Sequence, residues 1–188
     1  MKNRARLCRE EIEFVLARED DCGVLMKQLE EGILPLRVTH NDTKLNNILF
    51  DKNTGEGLCI IDLDTIMPGL AANDFGDSIR FGASTAEEDE KDLNKVHFDI
   101  ELYRIYVKGY LEMAKDVLTP AENASLPWGA RLMTLECGMR FLADFLQGDV
   151  YFKTTYPEHN LVRARTQFRL VKEMEEQFDQ MQEIVEMF

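Results

Sequence analysis

Two short β-prone runs interrupt a chain whose remaining periodicity is largely helical, and this interruption limits the folds open to it. The runs are residues 47–50 and 58–61, and the segment between them, residues 51–57, is rich in Asp, Asn and Gly. Apolar runs joined by such turn-forming residues predict a β-hairpin. One small hairpin among helices predicts an α+β fold that is mostly helical.

Helices are expected on both sides of this hairpin. Residues 4–20 and 22–32 predict two helices that break near residue 22, and residues 36–40 form a short extended run. Residues 62–83 contain one proline and three glycines, which predicts an ordered loop with room for one helical turn.

The C-terminal half is expected to be helical. Residues 99–117 predict one helix, residues 128–146 a second and more apolar one, and residues 148–153 a connection to the last. Asn160 is expected to cap a final helix that runs nearly to the last residue. The apolar positions of that helix fall near helical spacing and predict core packing. They are Leu161, Phe168, Val171, Phe178, Met181 and Val185.

Composition narrows the class of partner. A chain of 188 residues that is 45% hydrophobic suits one domain. Its formal net charge of −13 argues against nucleic acid and against an anionic membrane surface, because both attract clustered cations. No apolar stretch approaches the roughly 20 residues that span a bilayer, and residues 1–20 lack a signal-peptide pattern. Four scattered cysteines are typical of free thiols, so we expect a cytoplasmic protein.

The most informative residues for chemistry are His40, Asp42, Lys44 and Asn47. Their spacing, H-x-D-x-x-x-x-N, is that of a kinase catalytic loop. Phosphoryl transfer to an alcohol requires a carboxylate to accept the hydroxyl proton, ligands for magnesium, and positive charge on the moving group. Asp42 suits the carboxylate, Lys44 is close enough to reach a γ-phosphate, and Asn47 offers a side-chain oxygen to Mg²⁺.

The hairpin predicts a second set of ligands. A hairpin returns its second strand beside its first. Asp62, at the exit of the second run, is therefore expected beside the loop that precedes the first. Ile60 and Ile61 are expected to bury that strand before the carboxylate projects from its end. Asp62 is predicted as a second Mg²⁺ ligand, and Asp64 assists it because its side chain has the same parity.

Each residue also has a structural interpretation. Asp42 suits an Asx turn, Asn47 a hairpin and Asp62 a strand-end cap, because Asp and Asn are common turn formers. Their coincidence in one region favours catalysis. Asp74 belongs to an Asp-Phe-Gly sequence, but no strand leads into it. It is expected to accept hydrogen bonds from backbone N–H groups and brace the loop rather than bind metal. His40 is expected to support the loop structurally.

Together these motifs resemble the aminoglycoside phosphotransferase and choline kinase superfamily, which has a protein-kinase-like fold. Within it, the strings at residues 38–44, 61–69 and 74–77 are similar to those of bacterial N-acetylhexosamine 1-kinases, and the resemblance covers most of residues 36–170. It implies an ATP- and Mg²⁺-dependent kinase that phosphorylates the anomeric hydroxyl of an N-acetylhexosamine. Asp42 is then the base, and Asn47 and Asp62 hold the metal.

The resemblance also implies where the acceptor binds. The later helical segment would contact the sugar, and Arg140 and Tyr151 are the expected contacts. An Arg fork and a Tyr hydroxyl suit sugar hydroxyls and an acetamide carbonyl. Spacing alone favours an intrahelical ion pair of Arg140 with Glu136 or Asp144.

The chain departs from the family pattern before its H-x-D motif. No G-x-G-x-x-G precedes that motif, which begins at residue 40. We therefore expect residues 1–188 to form a single domain, the C-terminal lobe of such a kinase without its N-terminal nucleotide lobe. The isolated lobe is expected to be inactive and to self-associate through an exposed interlobe face. A choline, homoserine or aminoglycoside kinase lobe, or a non-catalytic binding lobe, stays open as an alternative.

Overall fold

The computed structural model describes residues 4–114 and 116–188, and this part of the chain has an α+β fold dominated by helices. The predicted class is therefore confirmed. In chain order the elements are α1 (Arg9–Leu16), α2 (Val24–Glu30), β1 (Arg37–Thr39), β2 (Ile48–Phe50), β3 (Gly57–Ile60), β4 (Met67–Gly69), α3 (Ala71–Gly82), α4 (Ile100–Ala114), α5 (Pro120–Gln147), α6 (His159–Glu176) and α7 (Phe178–Glu186).

A hairpin is present where the sequence predicts one. Strands β2 and β3 pair antiparallel, with Ile48 opposite Ile60. Asp51 stabilises the turn by accepting hydrogen bonds from the backbone N–H groups of Asn53 and Thr54, at 2.8 and 2.9 Å. Turn chemistry close in sequence thus determines where the two strands reverse.

The burial expected at the exit of this hairpin is wrong. Ile60 is 59% exposed and Ile61 is 37% exposed. The reason is that β2 and β3 form a sheet of only two strands, which buries little apolar surface without another layer against it. Strands β1 and β4 form a second two-stranded antiparallel sheet, with Thr39 opposite Met67.

Residues 62–83 are more regular than predicted. Instead of a loop they contain a 3₁₀ turn at Leu63–Thr65, strand β4 and the helix α3. Glycines lower helix propensity, which is why the sequence argues against a helix here. Gly76 is nevertheless required, because a Cβ at this position would collide with the backbone of Gly129 in α5. The close contact of two helices overrides the local preference.

Helix α5 begins at Pro120, rather than at residue 128 as predicted. Thr119 caps it, because its hydroxyl accepts from the N–H of Glu122 while the Glu122 carboxylate accepts from the N–H of Thr119. This capping box satisfies two backbone donors at the helix start. Pro120 stands at the first position of the helix, where a proline is favoured, whereas Pro127 lies inside it.

The C-terminal segment forms two helices rather than one. Helix α6 ends at Glu176 and α7 begins at Phe178. The prediction that Asn160 caps this helix is wrong, because α6 begins at His159 and Asn160 is buried in its first turn. The expected core packing is largely confirmed, since five of the six predicted positions are buried. These are Leu161, Phe168, Val171, Met181 and Val185.

The core fixes α3 against the helices that follow it. Phe75 of α3 contacts the rings of Tyr103, Tyr106 and Tyr110 in α4, with ring centroids 6.0, 5.7 and 5.1 Å away. A second apolar cluster joins α5 to α6 around Phe168. None of the described helices is long and apolar enough to cross a membrane.

Large apolar side chains remain exposed around the four strands. We call this region, residues 36–67, the strand face. Eleven of its large apolar residues are exposed: Leu36, Val38, Leu45, Leu49, Phe50, Leu58, Ile60, Ile61, Leu63, Ile66 and Met67. So many exposed apolar side chains in one segment are typical of a region that contacts another protein unit.

Candidate active site

Residues 40–47 connect β1 to β2, and we call them the H-x-D loop. The loop leaves β1 through Asn41, whose φ of 64° is in the left-handed region that Asn tolerates better than most residues. The Asn41 side chain donates a hydrogen bond to the carbonyl of Thr65, at 3.0 Å. Thr65 in turn donates from its hydroxyl to the carbonyl of His40, at 2.6 Å. The first residues of the loop are thus attached to the segment that follows the hairpin.

Asp74 in α3 holds the same part of the loop from the other side. Its two carboxylate oxygens accept hydrogen bonds from the backbone N–H groups of His40 and Asn41, both at 2.8 Å. Asp74 thus accepts hydrogen bonds from backbone N–H groups, as predicted from the sequence. Because α3 is packed into the core, the loop is supported by a rigid element rather than by a neighbouring loop.

Asp42 lies at the centre of the loop with two donors on one carboxylate oxygen. Lys44 Nζ and Asn47 Nδ2 each lie 2.8 Å from Oδ2 of Asp42. Partial burial would raise the pKa of Asp42, but the hydrogen bonds from Lys44 and Asn47 outweigh it and hold this pKa below its usual range. Asp42 is therefore ionised at neutral pH, which is the form a general base requires.

Asp62 follows the hairpin, and the backbone of the preceding residue, Ile61, is hydrogen-bonded to the H-x-D loop. The N–H of Ile61 donates to the carbonyl of Asn47 at 2.9 Å, and the carbonyl of Ile61 contacts Nε2 of His40 at 3.0 Å. The peptide groups on both sides of Ile61 are therefore bound to the H-x-D loop. Asp62 follows directly and has a left-handed φ of 64°. Its side chain and that of Asp64 are exposed.

The oxygen atoms in this region suit a magnesium ion that is shared with a phosphate ligand. Mg²⁺ usually takes one or two protein carboxylates and completes its shell with water and phosphate oxygens. Nδ2 of Asn47 is used by Asp42, which leaves Oδ1 available to a cation. Among the residues described by the structure, no three His, Cys, Asp or Glu side chains form a metal cluster. The oxygen donors that this region offers are therefore the amide oxygen of Asn47 and the exposed carboxylates of Asp62 and Asp64.

Arg140 and Tyr151 lie together elsewhere. The guanidinium of Arg140 is 5.6 Å from the centroid of the Phe152 ring, and the Tyr151 ring contacts that ring edge-on at 4.8 Å. Arg140 is eleven residues beyond Gly129 in α5, which corresponds to about 16 Å along the helix axis. No contact in the described part of the chain joins either residue to Asp42.

Asp144 organises the connection that carries Tyr151. Its carboxylate accepts hydrogen bonds from the backbone N–H groups of Val150, Tyr151 and Phe152, at 2.9, 2.8 and 3.0 Å. Asn160 donates a further bond from its side chain, at 2.8 Å. Asp144 is therefore not the ion-pair partner of Arg140 that helical spacing suggests. Burial would raise the pKa of Asp144, but these four bonds hold it below its usual range.

Two hydroxyl residues of the site were not recognised from the sequence. The hydroxyl of Thr43 donates to the carbonyl of Asp74, and the hydroxyl of Ser78 donates to the carbonyl of Thr43 at 3.0 Å. Ser78 lies four residues after Asp74 and therefore on the same face of a helix. That spacing identifies Ser78 only once residues 71–82 are known to be helical.

A carboxylate loop braced by a helix, beside a hairpin that leads to two further carboxylates, is typical of kinase-type phosphotransferases. The comparison with known protein families agrees with this class. A family model described as the phosphotransferase enzyme family, APH, matches residues 3–115. The chain belongs to this family. The match includes the H-x-D loop, the hairpin, α3 and α4, and it ends before α5, so that Arg140 and Tyr151 lie outside it.

Proposed function

We propose that this chain transfers the γ-phosphate of ATP to a hydroxyl group of a small molecule, with Asp42 as the general base. The observation that carries the proposal is the environment of Asp42. Two donors lie at 2.8 Å from one carboxylate oxygen, and the pKa is held below its usual range. In this proposal the carboxylate orients the acceptor hydroxyl and accepts its proton as the bond to phosphorus forms.

The other residues of the loop have roles that follow from their contacts. Lys44 neutralises charge on the transferred group, which requires its ammonium to be shared between Asp42 and the phosphate. Asn47 and Asp62 would hold Mg²⁺, with Asp64 as an assistant, and the ion would supply charge neutralisation for the phosphate oxygens. His40 and Asp74 keep the loop and the hairpin exit in register.

For the acceptor we propose an N-acetylhexosamine, contacted by Arg140 and Tyr151. The support is the likeness of residues 38–44, 61–69 and 74–77 to N-acetylhexosamine 1-kinases, and the exposure of both side chains. A choline, homoserine or aminoglycoside acceptor is the second candidate, because a net charge of −13 favours a cation. In either case the proposal requires an acceptor that reaches from Asp42 to Arg140 and Tyr151.

We further propose that residues 1–188 act as the C-terminal lobe of such a kinase in the cytoplasm and do not turn over alone. The exposed apolar strand face supports this, because it suits contact with a second lobe. A non-catalytic binding lobe would have the same exposed face and the same fold.

The test is a phosphoryl-transfer screen with ATP and Mg²⁺ against amino sugars, choline and homoserine. It uses the 188-residue chain alone and combined with the N-terminal lobe of a family member. We expect transfer to an N-acetylhexosamine only in the combined sample. Arg140→Ala and Tyr151→Phe should raise the KM for the acceptor and leave that for ATP unchanged. Transfer to none of these acceptors in the combined sample would instead favour a non-catalytic lobe.

A further inference from the structure

A cavity of about 480 Å³ lies between the end of α3, the loop at residues 84–95 and helix α6. Arg80 and Phe81 of α3 form one wall, and Thr166 and Gln167 of α6 form the opposite one. No residue of the H-x-D loop lines it. The cavity is therefore separate from the site of the proposed phosphoryl transfer, although α3 contributes to both.

The wall of the cavity is held in place by an internal network. Arg80, whose side chain is 10% exposed, donates to Asp77 and lies 2.9 Å from the carboxylate of Glu88. The hydroxyl of Thr166 donates to the backbone carbonyl of Glu88, at 2.6 Å. The loop is further fixed by the hydroxyl of Thr85, which donates to the carbonyl of Lys95 at 2.8 Å. Such a preformed concave surface is typical of a small-molecule site.

One polar atom of this wall lacks a partner. Gln167 is 2% exposed, and among the described residues its Oε1 accepts no hydrogen bond. Leaving a buried acceptor unsatisfied is unfavourable by about 1–3 kcal/mol. Gln167 lines the cavity, and a rotation of its terminal amide would present Oε1 to a ligand there, at the loss of a long bond of 3.5 Å from Nε2 to the hydroxyl of Thr166.

The charges of the wall favour a cation. Five charged residues line the cavity: the cations Arg80 and Lys95, and the carboxylates Glu87, Glu88 and Glu90. Arg80 is paired with Glu88 and with Asp77, and Lys95 is paired with Glu90 at 3.9 Å. Glu88 is also paired with Arg163, at 3.6 Å. Glu87 is exposed and has no ion pair within the described part of the chain. One carboxylate thus remains without a counter-charge.

We propose that this cavity binds a small organic cation whose ammonium groups donate hydrogen bonds to Gln167 and Glu87. An ammonium group has three donors and no acceptor, so it matches a wall whose free groups are acceptors. A neutral polyol could donate to Gln167 but would leave Glu87 without a counter-charge. An anion would face an excess of carboxylates.

The experiment is a titration of the 188-residue chain with 1,4-diaminobutane, followed by amide chemical shifts in NMR spectra at constant ionic strength. Butane-1,4-diol serves as the neutral analogue of the same length. We expect saturable shifts at residues 84–90 and 166–167 with the diamine and no saturable shift with the diol. Gln167→Leu should weaken binding about tenfold, because a hydrogen bond to a charged group is lost.

Glu87→Gln should also weaken binding, and because this side chain is exposed the variant keeps the wild-type core. Glu183→Gln, on an exposed position of α7, is the control for unspecific attraction to the acidic surface. Shifts that spread over the surface and persist in Gln167→Leu and Glu87→Gln would overturn the proposal. Equal binding of the diol, or no binding of the diamine, would overturn it as well.

Discussion

Asp42 shows how a few neighbouring side chains set the state of one carboxylate. The amide of Asn47 and the ammonium of Lys44 hold it ionised and oriented. The two donors come from residues two and five positions further along the chain, so the local loop is sufficient to build this environment. Replacement of the Asp42 carboxylate by an amide is therefore the most direct test of its proposed role as general base.

We predict that Asp42→Asn lowers kcat about 10²–10⁴-fold in an active kinase that contains this chain, the range usual for loss of a general base. The acceptor KM should change less, because an amide oxygen can still accept the bonds from Lys44 and Asn47. Steady-state kinetics measures both values. Asp51→Asn in the hairpin turn is the control and should retain activity. Near-normal turnover by Asp42→Asn would rule out the assignment.

Asp144 leads to a prediction about pH. Its folded pKa is lower than its ordinary value, so its contribution to stability is present above the ordinary pKa and is lost as pH falls through the folded pKa. Asp144→Asn should lower the free energy of unfolding by about 1–3 kcal/mol at pH 7, because backbone donors lose an acceptor.

The difference between Asp144→Asn and the wild type should shrink below about pH 4, where the Asp144 carboxyl group of the unfolded wild-type chain begins to protonate while that of the folded chain is still ionised. Urea unfolding between pH 2.5 and pH 7 measures it, and Glu183→Gln is the control. A difference that stays constant over this range would contradict the ionised role of Asp144.

At the scale of elements, the packing of α3 on α5 determines where the site is built. The two helices approach so closely at Gly76 and Gly129 that neither position has room for a side chain. Asp74 and Ser78 lie beside this contact and bind the H-x-D loop. A change in the spacing of the helices is therefore transmitted to the loop.

Gly76→Ala is predicted to lower the free energy of unfolding by about 1–3 kcal/mol or more, because a methyl group would overlap the backbone of α5. Gly109→Ala is the matched control. It lies inside α4 with open space around its Cα, so the same change should raise stability by about 0.5–1 kcal/mol. Urea denaturation followed by circular dichroism compares the two. Equal effects of both changes would contradict the close helix contact.

Asp62 follows the hairpin and Asp74 lies in α3, and we predict that replacing them has different effects: the first on the Mg²⁺ requirement, the second on the stability of the H-x-D loop. Asp62→Asn should raise the Mg²⁺ concentration needed for half-maximal rate about tenfold or more. Asp74→Asn should leave that requirement unchanged and speed amide hydrogen exchange at His40 and Asn41, whose N–H groups it binds. Kinetics at varied Mg²⁺ and exchange measured by mass spectrometry provide the two readouts. A changed Mg²⁺ requirement in Asp74→Asn alone would reverse the assignment.

At the scale of the whole molecule, apolar exposure is concentrated on the strand face, while the helical body buries its own core. Eleven large apolar residues between positions 36 and 67 are exposed. The described helices α3 to α7 instead bury aromatic and aliphatic side chains in two large clusters. The helices thus bury a core of their own, whereas the strands leave most of their large apolar side chains exposed.

We predict that the 188-residue chain folds, self-associates and shows almost no phosphoryl transfer alone. Leu58→Lys combined with Ile60→Lys on β3 should reduce self-association without lowering stability, because both side chains are already exposed. Sedimentation velocity measures the association. Ile105→Lys with Met113→Lys, also exposed but on α4, is the control and should have no effect. Multiple turnover by the chain alone would contradict the prediction.

Much of the fold and of the candidate site could be predicted because it depends on short-range chemistry. The hairpin follows from turn formers between two apolar runs. The apolar stripe of the last segment follows from helical periodicity. The motif H-x-D-x-x-x-x-N brought Asp42, Lys44 and Asn47 to attention because they are only two and five positions apart, although the hydrogen bonds from Lys44 and Asn47 to Asp42 were not predicted.

What the tertiary structure decided involves residues that are distant in sequence. Gly76 is helical because of its contact with Gly129 in another helix, although its propensity argues against it. The prediction that Ile60 is buried was wrong because, among the described residues, its sheet has only two strands and no further layer covers it. The sequence by itself thus determined the hairpin, the helical character of the C-terminal half and the residues of the H-x-D loop, since these depend on neighbours along the chain. Only the folded structure decided that α3 carries the brace for that loop and that the strands remain exposed, since both depend on how separate elements pack.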